Sequence, residues 1–453
     1  MTKLTPISRF LLTFAIVGTL FFGVKSLFSS EKDASNETTV VGKPSNAPVL
    51  LSLSGSSTLG NKMMPEIAKQ FMFNALHAQN VTIQKVNDLE TNVVGEIDGN
   101  EQRITIRTQG SLEGINDLHL QKADLAMLSG GTDNLAADVQ LDNIALDGIA
   151  VLVNPSNAVK ELTKSQIRDI FLGKTTNWAQ VGGQSAPINC YARQMQSGTF
   201  EAFKQLVMEQ VYAALSPNIQ YFDDSKQLTA AIESDPNGIG FSSFSAIGAT
   251  KSLGLSDVGT TVQYPSVFTI ETEDYLLTRR LYLAHLASNK NPFQRRFIEF
   301  CEADDKGQKV VADAGFVNMN LHNADMHATI ANAPPQYLAV TNAAKRLPTT
   351  LHFQSGSKNP DVRATDDIKR IVNLLSEPNS RNKQVELIGF TDNVGNPTQN
   401  LALSTERAQA IQTEFAKFGI RTDIFGFGQA LPIAANTNAM GQNKNRRVEV
   451  WIK

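Results

Sequence analysis

A short apolar stretch late in the chain, Val385 to Gly389, runs into Phe390-Thr391-Asp392-Asn393-Val394-Gly395. The residues after it keep a fixed order: Asn400, Leu403-Ser404, Arg407-Ala408 and, further on, Asn445-Arg446-Arg447-Val448. Val385 and Leu387 with a glycine at 389 read as a buried strand ending in a polar turn, which leaves Asp392 at a strand end. Asn400 or Ser404 suits the cap of the next helix, whose apolar positions Ala408, Ile411, Phe415 and Phe418 recur every three or four residues. Gly419 stands where a left-handed cap would end that helix. On this reading Arg407 lies near the helix start, where a cation works against the macrodipole, so it needs another reason to be there. The helix N-terminus and Arg407 attract a carboxylate, while Asp392 attracts an ammonium group. A ligand carrying both groups on one carbon satisfies both residues. The competing arrangement is an internal Asp392–Arg407 ion pair that serves only the fold.

The series resembles the OmpA-like peptidoglycan-binding domain, with its strand, G-x-T-D-x-x-G turn, N-x-x-L-S-x-x-R-A helix and final strand opened by N-R-R-V. It covers residues 349–453. The resemblance implies non-covalent attachment to peptidoglycan, with the zwitterionic end of a diaminopimelate stem peptide as ligand. Asp392 and Arg407 would hold it, and Asn400 and Arg446 would shape the pocket.

At 453 residues the chain is too long for one core, and its 19% charged and 42% hydrophobic residues are an ordinary globular balance. A formal net charge of −3 gives no electrostatic case for nucleic acid as a partner. Lys3 and Arg9 precede an apolar run from Phe10 to Val24, and no small-residue cleavage site follows. Residues 1–30 therefore read as an uncleaved signal anchor, a membrane helix with its N-terminus in the cytoplasm. If the leader is cleaved instead, the protein is periplasmic or associated with the outer membrane. Residues 31–47 and 323–348 read as linkers; His322 just before the second, with Asp325 and His327 inside it, forms a grouping expected by chance in such a segment. Cys190 and Cys301 either pair or stay as two buried thiols.

Between the linkers, residues 48–322 repeat one theme. Leu51-Ser52-Leu53 runs into Gly55-Ser56-Ser57-Thr58, Ile104-Thr105-Ile106 into Gln109-Gly110-Ser111, and Leu125-Ala126-Met127-Leu128 into Ser129-Gly130. Ile188-Asn189-Cys190-Tyr191 then runs into Arg193 and Ser197-Gly198-Thr199, ahead of a helix bearing Phe203, Leu206 and Val207. A Ser/Gly/Thr turn at a helix N-terminus offers free N–H groups and hydroxyls to an oxyanion. Converging turns would bind one mostly with neutral donors, and Arg193 would add a charge. Each serine or threonine is equally suited to an ordinary helix cap.

This stretch resembles the periplasmic phosphate-binding proteins of ABC importers, a two-lobed α/β fold with its second lobe at about 155–240. The matching pieces include Gly55-Ser56-Ser57-Thr58, Asp147 to Val153, Arg193-x-x-x-Ser197-Gly198-Thr199, Asn237 to Phe241 and Tyr275 to Tyr282. The resemblance implies phosphate or a similar oxyanion as ligand, held by Ser57, Thr58, Ser111, Arg193, Ser197, Gly198 and Thr199. It also implies an ABC importer or another envelope protein as partner. Ser129 stands where the phosphate binders carry an aspartate that accepts a proton from phosphate, so discrimination against sulfate is expected to be poor.

The fold expected is thus an N-terminal membrane helix, a two-lobed α/β binding-protein domain and a smaller α+β OmpA-like domain. The function expected is a non-enzymatic envelope protein that binds an oxyanion and holds peptidoglycan. Its rival is a structural tether whose middle domain is a spacer or docking platform. The six histidines (77, 119, 285, 322, 327 and 352) have no spacing that supplies a metal site or a nucleophile–base pair, so neither metal nor cofactor is expected.

Overall fold

In the middle of the chain one fifteen-residue strand, Val139–Val153, carries two sheets at once. Its first part pairs with Thr278–Leu286 and its last five residues with Gly238–Ser243, both antiparallel. The computed structural model that contains it describes residues 39–41, 45–130, 135–208, 214–321, 333–377 and 383–453. All of these but Thr39 lie in one compact unit. The anchor expected at 1–30, most of the first linker and the His322–Asp325–His327 grouping lie outside the described residues. Among those described, no helix is long and apolar enough to cross a membrane.

The strands run Gln79–Asn87, Glu90–Ile97, Asn100–Arg107, Val49–Gly55, Leu125–Leu128, Thr278–Leu286, Val139–Val153, Gly238–Ser243, Asn189–Arg193, Gln220–Phe222. Val49–Gly55 pairs in parallel with both neighbours, and all four side chains of Leu125–Leu128 are buried, as strands covered on both faces require. One core packs Leu51, Leu53, Phe71, Ile106 and Phe297; the other packs Phe171, Trp178, Phe203, Val207 and Phe241. Two lobes result, sharing the Val139–Val153 strand. Cys190 lies in the second core and Cys301 in the first, and both thiols are free. Burial pushes the Cys190 thiol up to about 12.

The C-terminal module is a four-stranded sheet in the order Lys345–His352, Arg447–Ile452, Val385–Gly389, Thr422–Gly426. The last two strands are parallel, joined across the helix Pro397–Ala416. Part of the expected 323–348 linker is corrected here. Pro335–Thr341 is helical, with Tyr337 buried against Phe390, Phe427 and Trp451, and the first strand already starts at Lys345. Prolines 334, 335 and 348 give this stretch the look of a loop, whereas Pro348 sits at the register shift between Arg346 and Thr350 of a strand whose partner lies far away in sequence.

The two modules meet over buried ion pairs. Arg346 grips Asp274 with two bonds of 2.6 and 3.1 Å, and Arg280 Nη2 donates to Asp367 at 2.8 Å. His352 Nε2 lies 3.3 Å from Glu273, and Thr350 donates to the Thr272 carbonyl at 2.7 Å. Beside this seam burial lifts the Glu271 carboxyl to about 8, against the pull of Arg370. A raised carboxyl is protonated in the fold while the unfolded chain has lost its proton, so stability falls as pH rises from about 4.5 to 8. Glu271→Gln should therefore raise the melting temperature at pH 8 and change it little at pH 4.5. Equal shifts at both pH values would refute the assignment.

Candidate functional site

Two clusters answer to the residues singled out by sequence. In the C-terminal module, Asn396 caps the helix, its Oδ1 accepting from Thr398 N at 2.8 Å, and Pro397 takes the first position. This corrects the expected start at Asn400 or Ser404. Arg407 is consequently mid-helix, and the macrodipole argument for it falls away. Phe418 is exposed, while Ala408, Ile411 and Phe415 are in the core. Gly419, with φ +75°, follows the helix end as read.

Mid-helix placement aims Arg407 inward, where it is only 1% exposed. Its nitrogens donate to the carbonyls of Ser357 (2.9 Å), Phe390 (3.0 Å) and Gln354 (3.3 Å), and its guanidinium lies 5.5 Å from the Phe353 ring centroid. Asp392 instead pairs with Arg446 Nη1 at 2.8 Å. Asn400 reaches the Asp392 carbonyl at 3.4 Å and Gln429 Oε1 at 3.2 Å. Desolvation lowers Arg407 to about 10, against the field of Asp392 and with that of Arg446. All four expected residues thus gather in one place, but the direct ion pair is Asp392–Arg446, not Asp392–Arg407. The turn can sit this close because residue 389 is glycine: a Cβ there would lie 2.0 Å from the Ser404 carbonyl oxygen.

In the middle domain the Ser/Gly/Thr turns do converge. Ser56 Oγ donates to Ser129 Oγ at 2.9 Å, and Ser111 Oγ accepts from Ser129 N at 3.2 Å. Ser56 and Ser197 act as helix caps, accepting from Thr58 N and Phe200 N. Ser57 and Thr199 lie in the first turns of those helices. Arg193 points elsewhere: it donates to Ser225 Oγ at 2.9 Å and to the Asp223 carbonyl at 2.8 Å. Burial lowers its pKa against the fields of Asp224 and Asp223.

The centre of the cleft is taken by Arg279, to which the sequence reading gave no role. Its Nε donates to Asp147 Oδ2 at 3.1 Å and Nη1 to the Ser129 carbonyl at 3.1 Å. Its Nη2 donates to Thr58 Oγ1 at 3.2 Å and to the Gly198 carbonyl at 3.0 Å. Thr58 and Ser129 belong to the first lobe and Gly198 to the second, so one guanidinium bolts the lobes together. The fit is close, since a Cβ on Gly198 would lie 2.1 Å from Thr58 Oγ1. Asp147, 3% exposed, is the counter-charge, its carboxyl raised by burial against the pull of Arg279. The available signal was Arg279-Arg280 inside the apolar run Tyr275 to Leu281: arginines are rarely buried without a partner.

Residues 42–302 match the family described as PBP superfamily domain, and residues 352–446 match the OmpA family. Similar curated proteins include the phosphate-binding protein PstS of Borreliella burgdorferi, 25% identical over 49% of this chain and 81% of that protein. Another is PstS of Staphylococcus epidermidis, 30% identical over 38% of this chain and only 54% of that protein. Among solved structures, an ABC-type phosphate transport receptor from Vibrio cholerae aligns at 22% identity and a TM-score of 0.48, over 59% of this chain and 99% of its own. The peptidoglycan-associated lipoprotein from Burkholderia pseudomallei aligns at 22% identity and 0.22, over 27% of this chain and 98% of its own. Two lobes on a shared strand, followed by a four-stranded module with the Asp392 turn and Arg407 helix, agree with both matches: the chain belongs to the PBP superfamily and carries a C-terminal OmpA-family domain.

Proposed function

We propose that this chain is a cell-envelope protein that grips peptidoglycan through the Asp392–Arg407 cluster and carries a PBP-superfamily domain bolted shut by Arg279. One observation carries the wall attachment. Arg407 and Arg446 face one carboxylate, Asp392, a balance of 2 − 1 = +1, and the hydrogen-bond partners of Arg407 are neutral carbonyls. A buried positive surplus of this kind favours a carboxylate ligand, and Asp392 can exchange Arg446 for an ammonium group. Diaminopimelate carries both groups on its side-chain carbon. The protein should therefore pellet with diaminopimelate-type peptidoglycan and poorly with the lysine type, which lacks that carboxylate. Equal pelleting with both would sink the assignment. The apolar run Phe10 to Val24 remains, in this proposal, the membrane attachment.

The middle domain is the scaffold of this arrangement rather than its receptor. Around the cleft centre, Ser129, Gly198 and Thr58 turn acceptor atoms toward a cation, the reverse of what an anion needs. An oxyanion receptor is the second reading, favoured by the gathered hydroxyls of Ser56, Ser111 and Ser129. Calorimetric titration of the full chain with phosphate and sulfate, parent against Ser129→Ala, separates the two: binding that Ser129→Ala abolishes supports the receptor, and binding that it leaves unchanged, or none, supports the scaffold.

A further inference from the structure

The strand Thr278–Leu286 places Thr278, Arg280 and Tyr282 on one face, toward the OmpA-family module. With Asn443, Lys444 and Arg446 from that module they line a cavity of about 290 Å³ on the seam. A single water needs only about 10–15 Å³ of such space. Among the described residues, Arg280 Nη1 and Thr278 Oγ1 are buried without a hydrogen-bond partner, although Arg280 and Thr278 are only 6% and 3% exposed. The other Arg280 nitrogens are committed, Nε to Glu273 at 2.7 Å and Nη2 to Asp367 at 2.8 Å. Leaving a guanidinium N–H and a hydroxyl buried and unused is costly, and an acceptor-only group would satisfy both.

Charge points the same way. Glu273 is the one carboxylate among the described lining residues, against Arg279, Arg280, Lys444 and Arg446. Counting the acids bound to these cations adds Asp147, Asp367 and Asp392, and Arg370 bridges to Asp367. With the Asp392–Arg446 pair left to the wall cluster, four cations (Arg279, Arg280, Lys444, Arg370) face three carboxylates (Glu273, Asp147, Asp367), a balance of 4 − 3 = +1. Glu273 holds its place with φ at +59°, a conformation that a non-glycine residue keeps only under local constraint. Its carboxylate thereby stays on Arg280 Nε and near His352.

We propose that this seam is a second binding site, for a small oxyanion carrying a carboxylate or a phosphate, held by Arg280 Nη1 and Thr278 Oγ1 with Lys444 at the rim. Because both modules build it, the ligand also strengthens their docking. Arg446 is shared with the wall cluster, whereas Thr278, Arg280 and Lys444 lie outside it.

Calorimetry on the full-length protein, with inorganic phosphate and separately with acetate, tests it. One equivalent of at least one anion should bind, and the tighter of the two identifies the head group. Thr278→Val, which keeps the shape and removes the hydroxyl, and Lys444→Met should each weaken binding at least tenfold, with melting temperatures confirming that both variants fold. Absence of binding by both anions, or binding that both variants retain at wild-type strength, overturns the proposal. Peptidoglycan pelleting of the same variants is scored separately, so failure of wall attachment and failure of the seam site read out independently.

Discussion

Arg407→Lys and Asp392→Asn should each cost the full-length protein at least tenfold in affinity for diaminopimelate-type peptidoglycan, measured by co-sedimentation. Lysine keeps the charge at 407 but cannot hold Ser357, Phe390 and Gln354 while also presenting a planar fork to a carboxylate. Asparagine keeps the shape at 392 and loses the charge that draws an ammonium group. Hydrogen bonds to charged groups are worth about 1.5–3 kcal/mol each, which is roughly a tenfold to hundredfold loss per contact. Both substitutions keep the side-chain volume, so the circular dichroism spectrum should stay that of the parent. Pelleting at parent level by both variants would make the cluster a structural feature and nothing more.

The second large effect belongs to Arg279. Arg279→Met removes the bolt between Thr58, Ser129 and Gly198 and strands the Asp147 carboxylate, which is 3% exposed. Breaking a buried pair on one side costs about 3–5 kcal/mol. For a domain of this size that lowers the melting temperature by roughly 6–15 °C. The double variant Arg279→Met with Asp147→Asn should recover much of the loss, because no charge is then left unpaired. Small-angle scattering should show a larger radius for the single variant as the lobes part. A melting point within about 2 °C of the parent, with no change in radius, would rule out the bolt.

How much of this was legible depended on how local each signal was. The Asp392 turn, the Gly419 cap and the apolar face of Ala408, Ile411 and Phe415 follow from neighbours within a few positions, and they stood out. The true helix start at Asn396 was missed because Asn400 and Ser404 are equally good caps by type, and only the Pro397 that follows Asn396 discriminates. Convergence of the Ser/Gly/Thr turns was legible from their repetition. Which arginine enters the cleft was not. Arg193 sits beside the turn in sequence, while Arg279 reaches it from a strand 81 positions beyond Gly198, a pairing that only the sheet order creates. The linker boundary failed for the same reason: Tyr337 and Lys345 find their partners more than a hundred residues later, at Glu449 and Ile452.

The pairing of the two modules also says how a pull on the wall would travel. From the Asp392 turn, force enters the strand Val385–Gly389 and crosses to Arg447–Ile452, then to Lys345–His352, through backbone hydrogen bonds loaded in shear. From there Arg346, Thr350 and His352 hand it to Thr272, Glu273 and Asp274, which lead directly into the strand that carries Arg279. Tension at the cell wall would therefore arrive at the bolt between the lobes along a stiff relay. The part of the molecule best placed to yield under strain is the closed cleft itself.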